Sequence, residues 1–112
     1  MGDKEWLERQ FVPDERLGIP LPAFEADWDT LSRTRQEALL ERWETVRGTI
    51  PERIIRLEEQ IKVKQERLFA EDDFAASCRL NSDIAELASR INDLHIWFRV
   101  QQDLDTETKR HS

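Results

Sequence analysis

Leu80, Ile84, Leu87, Ile91, Leu94 and Phe98 alternate four and three residues apart, and this spacing constrains the chain more than any other feature. Residues at those intervals share one side of an α-helix but would scatter over both faces of a strand. The run predicts a helix from about Asp73 to Asp103. Phe74, Cys78, Ala85 and Trp97 widen its apolar side, and Asn81, Ala88 and His95 form a neighbouring row of small or polar residues. A stripe this broad is more than one partner helix covers. It calls for a bundle, or for a hairpin that associates with itself.

Two earlier segments supply partners. Ile50, Ile54, Leu57, Ile61 and Leu68 follow heptad-like spacing, with Lys64 where the next apolar residue belongs. Thr49-Ile50-Pro51-Glu52 fits a capping box and opens a helix over residues 50–69. Upstream, Leu39, Trp43 and Val46 share a face of a helix over residues 30–47, which Gly48 closes. The break at Ala70-Glu71-Asp72-Asp73 contains no Gly or Pro, and Asp72 or Asp73 is the expected N-cap. Without that break, residues 50–103 would form a rod of about 80 Å. A hairpin buries the stripe instead. The expected fold is all-α: an antiparallel helical hairpin extended to a three-helix bundle over residues 30–104. Residues 105–112 are polar and expected to be disordered.

Residues 1–29 read as a separate arm. Through residue 30 the chain carries eight acids against three bases, whereas the remainder carries sixteen against fourteen. Pro13, Pro20 and Pro22 point to extended, polyproline-like geometry over about residues 12–23. A short helix around Lys4–Gln10 is weak in isolation. The arm is nonetheless rich in apolar anchors, which linkers usually lack. Trp6, Phe11, Ile19, Leu21 and Trp28 are its candidate contacts, either with the chain's own helices or with a partner.

Composition excludes several functions. The net charge of −7 makes the chain a poor general binder of nucleic acid. No apolar run reaches the ~18 residues that span a bilayer, and no basic segment precedes an apolar one, so neither membrane insertion nor a secretory signal is expected. A single cysteine suits a reducing cytoplasm, and with two histidines it makes a zinc site unlikely on composition.

Candidate chemistry is sparse. His95 has no acid three or four residues away to orient its ring, so it reads as a histidine at the edge of a bundle. Cys78 follows an acidic cluster and lies beside apolar positions, where a cysteine serves as a small hydrophobe. Glu71, Asp72 and Asp73 lack the glycine turn and the distal glutamate of a calcium loop. The three glycines stand alone, so there is no phosphate-binding loop. No enzyme activity, metal or cofactor is expected.

The run from Phe74 to Leu87 resembles the UVR motif, the antiparallel helical hairpin of excision-repair subunits and of some Clp-type chaperones and their adaptors. Phe74, Ser77, Cys78, Leu80, Ile84 and Leu87 occupy the matching places, while Asn81 and Ser82 replace the motif's Arg-Asp pair. The resemblance implies a docking hairpin without catalysis.

The leading functional expectation is therefore a cytoplasmic interaction module or adaptor. Its hairpin core comprises Ile54, Leu57, Ile61, Phe74, Leu80, Ile84, Leu87, Ile91, Leu94 and Phe98. Its acidic arm would dock in an apolar groove with a basic rim. The alternative is a self-associating bundle, a homodimer, in which Asn81 and Lys64 set register. A weaker alternative is acidic mimicry of nucleic acid.

Overall fold

Pro13, Pro20 and Pro22 lie in a β-hairpin, not in a polyproline segment. A computed structural model describes residues 3–100 of the chain. In it, β1 (Phe11–Asp14) pairs antiparallel with β2 (Ile19–Pro22), in the register Phe11 to Pro22, Val12 to Leu21, Pro13 to Pro20 and Asp14 to Ile19. The Ala23 N–H donates to the Gln10 carbonyl at 2.8 Å. Because hydrogen-bonded and non-bonded pairs alternate along an antiparallel ladder, the bonded pairs fall at 12/21 and 14/19. All three prolines therefore occupy positions where the ladder needs no N–H. The extended arm expected from composition is corrected here: a proline tract can pair when its missing donors coincide with the gaps in the ladder.

The turn between the strands is built by Asp14 and Gly18. The Asp14 carboxylate accepts from the Leu17 N–H at 2.8 Å, and its carbonyl accepts from the Gly18 N–H at 2.7 Å. Gly18 has φ of 72°, a conformation that costs a residue with a Cβ. A short helix, α1 (Asp3–Arg9), precedes the hairpin, and a 3-10 turn at Trp28–Thr30 follows it.

The chain forms two compact units, divided at Thr49/Ile50 and after Phe98. The first contains α1, the β-hairpin and α2 (Arg33–Arg47). Ser32 caps α2, its hydroxyl accepting from the Arg35 N–H at 3.2 Å. The helix thus starts later than the residue 30 expected from sequence, because the Thr30 hydroxyl bonds the Asp27 carbonyl within the 3-10 turn. Leu39, Trp43 and Val46 are buried along one side of α2. Gly48 ends the helix with φ of −62°, so its freedom at positive φ is not used.

The second unit is the helical hairpin α3 (Ile50–Phe69) and α4 (Phe74–Phe98). The expected capping box does not form. The Thr49 hydroxyl donates to the Val46 carbonyl at 2.7 Å, closing α2, and Glu52 pairs forward with Arg56 at 2.9 Å. Two residues separate the helices, so the threonine is within reach of an orphaned carbonyl at the end of α2. At the other break Asp73 caps α4, its carboxylate accepting from the Ala76 N–H at 2.8 Å.

α3 and α4 pack together along their length. Ile54, Leu57, Leu80, Leu87 and Leu94 are buried, and Ile61, Ile84, Ile91 and Phe98 are half-buried. Each fully buried aliphatic side chain stabilises the fold by roughly 1.5–3 kcal/mol. Lys64, the polar interruption in the α3 stripe, pairs with Asp83 of α4 at 3.1 Å across the hairpin. The fold is mostly helical, as expected, with a small two-stranded sheet added in the N-terminal unit, to which α2 also belongs. The expected end of the third helix at residue 103 and the polar tail at 105–112 lie outside the described residues.

Candidate docking site at the hairpin tip

The five aromatic and aliphatic residues of the arm are drawn into the N-terminal unit. Phe11 is 7% exposed and Ile19 is 4% exposed. Trp6, Leu21 and Trp28 are half-buried. Phe11 meets Phe24 edge-on with ring centroids 6.1 Å apart, and Phe24 stacks on Trp28 at the same separation. The Arg35 guanidinium lies 4.4 Å from the Trp6 ring, in cation–π geometry, and pairs weakly with Asp3 at 3.7 Å. Gln36 of α2 donates to the Trp28 carbonyl at 2.9 Å. The polar centre of this arrangement is Gln10, which is almost wholly buried. The sequence gives no sign of this role, because a glutamine between a charged helix and a strand carries no periodic signal.

The largest exposed apolar side chains lie elsewhere. Phe69 ends α3 and Phe74 begins α4, and they are 95% and 82% exposed. Phe74 was expected in the hairpin core, and its exposure corrects that expectation. It precedes Leu80 by six residues, which sets it about 120° away from the buried stripe. Phe69 directly follows Leu68 and is about 100° off the α3 stripe for the same reason. The sequence signal for Phe69 was available: a large aromatic beside a break and outside the periodic face. Cys78 is likewise exposed, not buried, and so is Asn81.

The turn between the two phenylalanines is tightly made. Ala70 and Glu71 donate back to the Glu66 and Leu68 carbonyls at 3.3 and 3.2 Å. The Glu71 carboxylate accepts from the Asp73 N–H at 3.2 Å. Glu71, Asp72 and Asp73 are all exposed. The tip is therefore a fixed turn that carries three carboxylates between two solvent-facing aromatic rings.

Little else in the described residues offers chemistry. His95 is exposed, and no three His, Cys, Asp or Glu side chains among the described residues are grouped to hold a metal ion. No described helix is long and apolar enough to cross a membrane. No family model matches the chain, and no curated protein or solved structure matches it.

Proposed function

We propose that this chain is a non-enzymatic protein–protein interaction module, an adaptor, that docks through the tip of the α3–α4 hairpin. The observation that carries the reading is the exposure of Phe69 and Phe74 on either side of one turn. Leaving two phenylalanine rings in water forgoes several kcal/mol of burial, on the order of 1.5–3 kcal/mol each. Aromatic side chains of this kind are enriched where one protein anchors on another. The partner is a protein with an apolar pocket and a basic rim, the rim matching Glu71, Asp72 and Asp73.

This reading moves the docking site from the arm to the hairpin. The arm's anchors already pack against one another and α2, so they have less surface to offer. The UVR-like run starts at Phe74 and continues along α4, which fits a hairpin used for docking. A cytoplasmic setting agrees with one exposed thiol and no disulfide.

A photo-crosslinking residue placed singly at 69, 74 and 55 tests the proposal in the native cell. Ile55 is exposed on α3 away from the tip and serves as the control. The reading expects one protein to be captured from positions 69 and 74 and not from 55. Equal capture at all three positions, or none at the tip, contradicts it. Capture of a second copy of the chain at the tip supports the self-associating alternative.

A further inference from the structure

We infer that a cleft on one flank of the hairpin, between Arg67 of α3 and Arg79 of α4, is a binding site for an oxyanion carried by a peptide side chain. The inference does not depend on the docking role of the phenylalanines. It starts from an ion pair. Lys64 meets Asp83 with opposite charge at 3.1 Å. Toward the turn, Arg67 follows Lys64 by three residues and Arg79 precedes Asp83 by four, so these two like charges share the flank of that ion pair. Both line one cleft of about 420 Å³ with Lys64, Glu71 and Asp83.

Lys64 and Asp83 neutralise each other, which leaves Arg67 and Arg79 against one remaining carboxylate, Glu71. Asp83 holds Lys64, and Glu71 accepts from the Asp73 N–H. Among the described residues, neither the Arg67 nor the Arg79 guanidinium has an ion-pair or hydrogen-bond partner. Two exposed cations on adjacent helices repel each other weakly in water, and an anion between them is attracted by both. Guanidinium groups bind carboxylates and phosphates through paired N–H donors, and two of them can grip one group from both sides. The cleft is larger than a bare phosphate and admits a side chain with its adjoining backbone. Ser82, which also lines it, adds a hydroxyl donor.

The test is an NMR titration of the full ¹⁵N-labelled chain at constant ionic strength. The probes are inorganic phosphate, a hexaglutamate peptide and, as reference, sodium chloride. The expected result is saturable shifts of the Arg67 and Arg79 side-chain N–H signals with phosphate, with the peptide, or with both. Saturation by phosphate and not by hexaglutamate identifies a phosphoryl group as the oxyanion, and saturation by hexaglutamate identifies a carboxylate. The double variant Arg67→Gln/Arg79→Gln should weaken that binding by about tenfold or more. Both residues are exposed, so the amide spectrum of the remaining chain should stay unchanged. Linear shifts equal to those with chloride overturn the inference, as does undiminished saturation in the double variant.

Discussion

Gln10 and Glu25 exchange two hydrogen bonds. The Gln10 amide nitrogen donates to the Glu25 carboxylate at 2.8 Å, and the Glu25 N–H donates to the Gln10 side-chain carbonyl at 3.0 Å. The same amide nitrogen reaches the Trp6 carbonyl at 3.0 Å. One buried side chain thus ties α1 to the segment that follows β2. This closure turns a stretch that reads as a free acidic arm into a folded element.

Gln10→Ala should therefore destabilise the N-terminal unit by about 2 kcal/mol, since it strands the Glu25 N–H and the Trp6 carbonyl in a partly buried site. Urea unfolding followed by tryptophan fluorescence measures this, because Trp6, Trp28 and Trp43 all report on that unit. A loss below about 0.5 kcal/mol would show that the hydrogen bonds do not hold the arm.

The two α4 residues Phe74 and Leu87 should behave oppositely on truncation. Leu87 is buried, so Leu87→Ala should cost about 2–5 kcal/mol through lost burial and the cavity left behind. Phe74→Ala should change stability by less than about 0.5 kcal/mol, because the ring already stands in water. Thermal melts by circular dichroism compare the two. A large loss from Phe74→Ala would return that residue to the core.

Asp73→Ala removes the carboxylate that caps α4 and should cost about 1 kcal/mol. Asp73→Asn keeps an acceptor and should recover most of the loss. Equal losses from both variants would assign the effect to charge near the turn instead of to the cap.

Cys78 should react with a thiol reagent such as DTNB in the native protein, without denaturant, because it is exposed. A thiol that reacts only after unfolding would restore the reading of Cys78 as a small buried hydrophobe.

The hairpin was the most legible part of the chain. The 4–3 spacing of Leu80, Ile84, Leu87, Ile91 and Leu94 is a periodic signal that only a helix satisfies, and Asp73 is a standard cap. The β-hairpin was illegible for a definite reason. Pro13, Pro20 and Pro22 argue against strands unless the register is known, and the register follows from Gly18 and Asp14 in a turn that local propensity does not distinguish from a loop. The capping box failed because Thr49 had two backbone groups to choose from, and its hydroxyl serves the end of α2. The tip was half-legible. Phe74 is excluded from the core by its angle on the helix, yet as an apolar residue it reads as widening the buried side of α4.

The most direct test of the central claim is quantitative affinity capture from native lysate with three baits: the natural chain, Phe69→Ser/Phe74→Ser, and Val12→Ser. Val12 is an exposed apolar residue on the β-hairpin and controls for general loss of surface hydrophobicity. Docking through the tip predicts a stoichiometric partner with the natural chain and with Val12→Ser, and its loss with the double phenylalanine variant, whose helical content is unchanged. A partner retained in full by Phe69→Ser/Phe74→Ser would contradict it.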